Sequence, residues 1–194
     1  MFAGIIGKLE KAKLVTVSDD VRVATIKCGE AVFKIGTIPL DTYPEMKAGE
    51  IIAMADMPQQ ALKDMLEETL YAVNEKLMYK QICTGEQLAI SPGTLKVTGL
   101  DSYRIATASC KIKYSGKPFD FVVPKKALSF IAGIIDYSDD PIHVAIDSRH
   151  AIFNVEGYEI YTSLLSGIYP DVNKIINTKV NTTCTLDALA FAKS

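Results

Sequence analysis

The sequence has few of the residues that bind soft metals or form disulfide frameworks. It contains two histidines, His143 and His150, and four cysteines that lie far apart without a Cys-x-x-Cys pair. Zinc sites and redox motifs usually need closely spaced ligands of these types. We therefore expect reduced, mostly buried thiols, with no bound metal and no cofactor. The cysteines are Cys28, Cys83, Cys110 and Cys184.

Long apolar runs and a strong net charge are also missing. No apolar segment is long enough for a transmembrane helix, and the start "MFAGIIGKLEKAK" lacks the basic region and cleavage site of a signal peptide. The formal net charge is −2, so nucleic-acid binding would need a local basic face. With 48% hydrophobic and 23% charged residues, we expect a globular cytoplasmic protein with no membrane partner.

Four pairs of short segments recur in the same order along the chain. Each segment resembles its partner, and the separation within the pairs is nearly constant. A shared order and period indicate a duplicated structural unit, in which loop insertions account for small differences in spacing. The pairs are "FAGII" (2–6) with "FIAGII" (130–135), "TVSD" (16–19) with "AIDS" (145–148), Tyr43-Pro44 with Tyr169-Pro170, and "PQQAL" (58–62) with "TLDAL" (185–189).

The repeat predicts how the chain is organised. One whole copy runs from about Glu50 to about Thr178. Residues 1–49 match the last part of a preceding copy, and residues 179–194 match the opening of a following one. The polar, turn-prone segments "EMKAGE" and "NTKVNTT" lie at the two junctions. We therefore expect the chain to be a piece of a longer protein.

The whole copy begins with a segment of helical periodicity. We predict a helix from Met57 to Lys76, with Asp56 as its N-cap and Pro58 in its first turn. Apolar side chains then return at helical spacing and define the buried face. The residues of this face are Leu62, Met65, Leu66, Thr69, Leu70, Val73 and Leu77.

Segments of β-type sequence follow this helix. A second helix is predicted to begin at Pro124, with Leu128, Ile131, Ala132 and Ile135 on one face. The order helix, four strands, helix, three or four strands makes two similar halves and favours an α+β fold with helices on one face of an antiparallel sheet. The strand segments are "QLAI", "TLKVTGL", "SYRIATASCKI" and "DFVVP" before the second helix, and "PIHVAI", "AIFNV" and "YEIYTSLL" after it.

Four segments carry a resemblance to a known family. "TGLDSYRIA" (98–106) is similar to a T-D-G/S-H-R-L motif, and "VPKKAL" (123–128) to a V-P-R/K-K helix start. "SGIYPDVNKII" (166–176) is similar to a G-x-F/Y-P-D/N stretch, with an earlier echo in "TIPLDTYPEM". In this combination and order, over essentially all of its residues, the sequence resembles the bacterial DNA sliding clamp, the beta subunit of DNA polymerase III.

The resemblance implies the DNA-clamp fold, in which each repeat packs two helices on one face of an antiparallel sheet. Family subunits have three such domains, and two subunits close head to tail around duplex DNA. Residues 1–49 would be the C-terminal part of the first domain, 50–178 the complete middle domain and 179–194 the start of the third. The implied role is a processivity factor without catalytic residues, with the polymerase III alpha subunit, the clamp loader and other proteins with clamp-binding motifs as partners.

The resemblance also implies a groove for a short, mostly apolar partner peptide, built between the middle and third domains. An apolar floor would contribute affinity by dehydration, and basic side chains at the rim would meet acidic or carbonyl groups. Because half a groove buries little ligand, we expect weak or no peptide binding by this chain alone. The middle-domain residues that match are Cys83, Leu100, Asp101, Ser102, Tyr103, Arg104, Ile105, Pro170, Lys174 and Ile175.

Four groove positions depart from the family's usual residues. Leu100 replaces a small hydroxyl residue, Tyr103 a His, Cys83 a Leu and Lys174 an Arg. These changes alter the shape of the groove and remove bidentate hydrogen bonding, so we expect a different peptide preference.

The resemblance implies sequence-independent contacts between basic side chains and DNA phosphates. The helix start at Lys125 adds its own attraction for phosphate. An open piece of a ring should bind duplex DNA poorly, because retention depends on ring closure. The DNA-facing candidates are Lys76, Lys80, Gln81, Lys125 and Lys126.

Two other functions compete with this one. A thiol enzyme would need Cys83 or Cys110 near His143 or His150, and no catalytic motif supports it. A non-enzymatic adaptor could use the clamp's middle domain to bind one protein without contacting DNA. Incomplete sheets at both ends also predict self-association into a dimer or higher species.

Overall fold

The computed structural model describes residues 2–9, 14–20, 22–43, 49–76, 80–176 and 180–193. The chain forms two compact units, Met1–Lys47 and Ala48–Ser194. No helix in the described part of the chain is long and apolar enough to cross a membrane.

The first unit is a short helix followed by a three-stranded antiparallel meander. Its elements are α1 (Phe2–Ile6), β1 (Thr16–Asp20), β2 (Val23–Cys28) and β3 (Ala31–Gly36), with strand order β1-β2-β3. Gly29, at φ 58°, makes the left-handed turn between β2 and β3. A short 3₁₀ turn, Leu40–Thr42, follows.

The second unit contains two halves with the same order of elements, strand, helix and three strands. The elements α1, β1, β2 and β3 of the first unit have the same order as the last four elements of such a half. The first half is β4 (Ala53–Pro58), α2 (Gln59–Thr69), β5 (Gly85–Ser91), β6 (Thr94–Leu100) and β7 (Ile105–Lys111). The second is β8 (Phe119–Pro124), α3 (Lys125–Ile134), β9 (Pro141–Ile146), β10 (His150–Val155) and β11 (Tyr158–Ser163). Two short helices, α4 (Val172–Ile176) and α5 (Ala188–Lys193), follow.

The two halves exchange their first strands. The sheets have the orders β7-β6-β5-β8 and β11-β10-β9-β4, so each half donates the strand before its helix to the other half's sheet. The exchange is in register: Pro58 of β4 lies opposite Pro141, and Pro124 of β8 lies opposite Gly85. All pairs are antiparallel, so the strand exchange matches an internal duplication.

Both helices cover the same face of the first of these sheets, as an α+β clamp fold requires. Helix α2 packs on β6 and β7, α3 packs on β5 and β8, and the helices contact each other. Leu62, Leu66, Leu128 and Ile131 are fully buried, so the predicted apolar faces are confirmed for both helices. Alternate strand residues such as Leu88 complete this core.

The predicted start and end of the first helix are wrong. Asp56 and Met57 lie in β4, opposite His143 and Ile142, and the helix begins at Gln59. Proline disfavours the helical conformation of the residue before it, so Met57 stays extended and Asp56 cannot act as the N-cap. The regular helix ends at Thr69, and a 3₁₀ turn, Leu70–Ala72, follows. Predicted Leu77 lies outside the described residues.

The remaining boundaries differ by a few residues. Pro124 is the last residue of β8 and α3 begins at Lys125, since Pro124 itself has an extended conformation with φ −56° and ψ 138°. The predicted strand 102–112 begins only at Ile105, because residues 101–104 form a turn. Strand β4 was not predicted: its last residues, Met57 and Pro58, had been assigned to the helix and Asp56 to its N-cap, and residues 53–55 had been given no element.

Candidate functional site

A second apolar cluster lies on the sheet face opposite the helices. In β6, Leu95 and Val97 point to the main core, so the alternating Leu100 points to the other face, as does Val122 in β8. Cys83 reaches this face from the 3₁₀ helix Gln81–Thr84, and Ile105 lies opposite Leu100 in the β6–β7 register. We call this group the outer cluster: Ile82, Cys83, Leu100, Val122, Tyr169 and Val172, with Ile105 and Leu165 packed against it.

Tyr169 attaches the segment after β11 to this face. Its hydroxyl donates a 2.9 Å hydrogen bond to the carbonyl of Thr98 and lies 3.4 Å from the carbonyl of Gly85. Burial, with smaller contributions from Cys83 and Glu86, raises the pKa of the Tyr169 phenol far above its usual range. Tyr169, which belongs to the Tyr-Pro repeat and to the stretch "SGIYPDVNKII", was not predicted as a groove residue, although it lies next to predicted Pro170.

The carboxylate of Asp101 organises a tight turn beside the outer cluster. It accepts hydrogen bonds from the backbone N–H groups of Tyr103 (2.8 Å) and Arg104 (3.1 Å) and from Arg104 Nε (3.0 Å). The backbone hydrogen bond from Tyr103 is the largest cause that lowers the pKa of Asp101. Ser102 and Arg104 are exposed, and Tyr103, at 96% exposure, projects into solvent.

Helix α4 carries the predicted rim residue Lys174 and the predicted groove residue Ile175. Val172 belongs to the outer cluster and fixes the start of the helix, while Lys174 and Ile175 remain exposed. Lys174 Nζ lies 3.8 Å from the carboxylate of Asp171, which is a weak surface contact. A cavity of about 280 Å³ is lined by residues 169–173, including Pro170, and by residues on the outer face of β5 and β6.

The structure brings together only part of the predicted groove. Cys83, Leu100 and Ile105 meet in the outer cluster. Pro170 lies in the sequence between Tyr169 and Val172, which also belong to this cluster. Cys83 and Leu100 are buried, at 1% and 7% exposure, so they form the base under the surface. Val172 connects Lys174 and Ile175 to this cluster along α4.

The basic candidates fall into two places. Lys125 Nζ donates a 2.8 Å hydrogen bond to the carbonyl of Val73, which brings it to the segment that carries exposed Lys76. Lys126 is exposed in the first turn of α3. Lys80 and Gln81 instead begin the 3₁₀ segment of Cys83, and the charge of Lys80 acts on that thiol.

The thiols are poor candidates for nucleophilic catalysis. Burial raises the pKa of Cys83 and of Cys110, which keeps both as neutral thiols. Nδ1 of His143 lies 2.7 Å from Asp56, and that of His150 lies 3.1 Å from Asp147. Within the described ranges, no group of three His, Cys, Asp or Glu side chains could hold a metal ion.

The exchanged β-α-β-β-β halves and the outer cluster define a DNA-clamp module. The family model for the central domain of the DNA polymerase III beta subunit matches residues 56–171, more than half of the chain. The chain belongs to this family.

Curated relatives agree with this assignment. The chain is 26% identical over its full length to the beta sliding clamp of Halalkalibacterium halodurans, covering 52% of that protein. It is 25% identical to the Bacillus subtilis beta sliding clamp, with 90% of this chain and 46% of that protein aligned. The chain therefore spans about half the length of the curated relatives it matches.

Solved structures share the fold. The B. subtilis sliding clamp superposes with a TM-score of 0.79 at 24% identity, covering 92% of this chain and 47% of that chain. A Pseudomonas aeruginosa sliding clamp gives 0.81 at 19% identity, covering 93% and 49%.

Proposed function

We propose that this chain acts in bacterial DNA replication as part of a sliding clamp that encircles duplex DNA and tethers the polymerase. The observation that carries the proposal is the exchanged pair of β-α-β-β-β halves together with the match to the central clamp domain. Its action is binding and tethering, with no catalytic step of its own. Residues 1–49, 50–178 and 179–194 would belong to the first, middle and third clamp domains.

The peptide groove would use the outer cluster as its base. The buried side chains of Cys83 and Leu100 support Ile105, and the Asp101 turn fixes the backbone that presents Tyr103. An apolar peptide could dehydrate this surface, while Arg104 and Lys174 contact its polar groups. DNA polymerase III alpha subunit, clamp loader and other clamp-binding proteins are the proposed partners.

Peptide binding can be tested by NMR on the ¹⁵N-labelled chain with a clamp-binding peptide from the polymerase alpha subunit. We expect millimolar peptide to shift amides of residues 100–105 and 170–175, and calorimetry to give weak binding. A matched peptide with alanine in place of its apolar residues should shift none of them. Shifts elsewhere, or a submicromolar dissociation constant, would contradict the proposed half-groove.

The DNA-facing surface would attract phosphates without reading sequence. Lys76, Lys125 and Lys126 supply positive charge near the start of α3, and Lys80 with Gln81 extends the candidate set beside Cys83. We expect fluorescence anisotropy to show weak binding of a short linear duplex that disappears as salt rises. A tight, salt-insensitive complex would overturn the assignment, because simple phosphate contacts are screened by salt.

We further propose that the chain self-associates. The sheet of the first unit leaves Val17, Val32 and Phe33 exposed, at 49%, 53% and 38%, and only one of its side chains, Ile26, is fully buried among the described residues. An exposed apolar sheet with open edges favours pairing with another chain. Light scattering should show a dimer or larger species, and a monomer at high concentration would disprove this.

A further inference from the structure

Glu86 is a buried acid in a place where a core residue would be expected to be apolar. It precedes Leu88 and Ile90 on the helix-facing side of β5, and the whole residue has 0% exposure. Neither carboxylate oxygen has a hydrogen-bond partner among the residues that the structure describes. A charge in this position is unstable unless a counter-charge approaches it.

The space for this carboxyl group comes from Gly99. A Cβ atom at Gly99 would lie 2.7 Å from Glu86 Oε1, 2.9 Å from the carbonyl oxygen of Thr69 and 3.0 Å from Val73 Cγ2. The Thr69 hydroxyl lies close enough to Glu86 to lower its pKa, but the hydroxyl proton is donated to the carbonyl of Met65 in a 2.7 Å hydrogen bond, so Thr69 does not satisfy the carboxyl group. The carboxyl group therefore lies against the end of α2 and the residue Val73.

Lys125 reaches this same corner from the second half of the unit. Its Nζ is held by the carbonyl of Val73, whose side chain borders the Glu86 pocket. The equivalent first residue of α2, Gln59, reaches the end of α3, where its Oε1 accepts a 3.1 Å hydrogen bond from the N–H of Asp136. The contact that Gln59 makes with the end of α3 is thus neutral. The contact that Lys125 makes with Val73, after the end of α2, places an ammonium group beside a buried acid.

The other groups around Glu86 do not compete for this role. Thr69, Val73, Gly99 and Val123, from α2, the segment after it, β6 and β8, do not titrate. Behind the sheet, Tyr169 is affected by both Glu86 and Cys83 and remains a neutral phenol. Lys125 is the cation whose charge acts on Glu86.

We propose that Glu86 is a proton-operated switch for the position of the Lys125 ammonium group. With Glu86 neutral, the ammonium group stays on the carbonyl of Val73. When Glu86 releases its proton to solvent, the ammonium group turns inward and pairs with the buried carboxylate. This movement would draw a positive charge away from the proposed DNA-facing surface. Any effect on DNA binding therefore rests on the proposed clamp function.

The electrostatics place the switch near neutral pH. Burial raises the pKa of Glu86 from 4.5 to about 7, against smaller opposite effects from Thr69 and Lys125. Both states are therefore populated close to neutrality.

The test is a ¹³C NMR titration of the chain between pH 5 and 9, following Glu86 Cδ and Lys125 Cε. We expect the Lys125 signal to shift with the same midpoint as Glu86, near pH 7. Lys126, exposed at the next position, is the internal control and should show no such step. In E86Q the Lys125 step should disappear.

Either of two results would overturn the proposal: a Glu86 midpoint near its ordinary value, or a Lys125 signal that does not follow Glu86. The wild-type titration alone can give either of these results, so the proposal stays testable even if E86Q does not fold. The readout needs no DNA or peptide. A titration that contradicts the switch therefore does not contradict the clamp function, and an absence of DNA binding does not contradict the switch.

Discussion

The hydroxyl of Tyr169 donates a hydrogen bond of 2.9 Å to the carbonyl of Thr98, joining the segment after β11 to the outer face of β6. This contact closes the outer cluster over Leu100 and Val122. Its position makes the phenol part of the base of the proposed groove.

We expect Tyr169→Phe to lower the free energy of unfolding by about 1 to 2 kcal/mol, because a buried hydrogen bond is lost while the ring is kept. Urea unfolding at neutral pH measures the change. Tyr158→Phe is a matched control, since Tyr158 is 58% exposed, and it should have little effect. Equal stability of Y169F and wild type would show that the hydroxyl contact is not stabilising.

Because the carboxyl group of Glu86 is buried, we expect the free energy of unfolding to decrease as pH rises. Because its pKa is raised from 4.5 to about 7, its stabilising contribution is complete below pH 4.5 and is lost as pH rises through about 7. A rise of this size corresponds to roughly 3 kcal/mol in the free energy of unfolding.

Urea unfolding at intervals from pH 5 to 9 tests this dependence. We expect E86Q, whose side chain stays neutral, to have a flatter profile and to exceed wild type in stability at pH 8 to 9. Glu156→Gln, in the exposed turn between β10 and β11, is the matched control and should keep the wild-type slope. A wild-type profile without a decline across this range would contradict the prediction.

Much of the fold could be predicted from the sequence, because alternating apolar residues and turn residues define hairpins locally. Strands β6 and β9 have the predicted limits, and Gly93 and Gly157 make left-handed turns between neighbouring strands at φ 77° and 73°. The error at Asp56 and Met57 arose because Pro58 was placed in the first turn of the helix, with Asp56 as the N-cap, whereas Pro58 is the last residue of β4. The restriction that Pro58 places on Met57 was the missing signal.

The candidate site was predicted by resemblance, and local sequence could not have assembled it. Cys83, Leu100 and Ile105 belong to three separate elements: strand register places Leu100 opposite Ile105, and the 3₁₀ helix Gln81–Thr84 brings Cys83 to the same cluster. Glu86 was missed because the predicted strand segment "QLAI" begins one residue later, and a Glu outside a strand is usually solvent-facing. Its burial depends on the absent side chain of Gly99, which is a tertiary relationship.

Asp147 predicts a loss of stability in acid. It accepts hydrogen bonds from the N–H groups of Gly49 (2.8 Å), Arg149 (2.7 Å) and His150 (2.6 Å), and these bonds hold the pKa of its carboxyl well below its usual range. Its contribution is therefore present above the ordinary value of 3.8 and is lost as pH falls below it.

We expect Asp147→Asn to be less stable than wild type at pH 7 and to lose less stability between pH 4 and 2. Circular dichroism during acid titration measures both effects. Asp139→Asn, at an exposed position, is the control and should follow wild type. An unchanged acid profile in D147N would contradict the assigned role.

We expect the turn at the rim of the proposed groove to be held in place by the carboxylate of Asp101. Its hydrogen bonds to the backbone of Tyr103 and Arg104 fix the turn, so Asp101→Ala should release both N–H groups to solvent. We expect faster amide hydrogen exchange at residues 103 and 104, with exchange in the β5–β6 ladder unchanged. Asp101→Asn should restore most of the protection, because its side-chain oxygen still accepts both backbone bonds, while it loses the ion pair with Arg104. If both amides stayed protected in D101A, the prediction would be contradicted, and the β6–β7 ladder alone would hold the turn. Substitutions at Asp101 should then leave peptide binding unaffected.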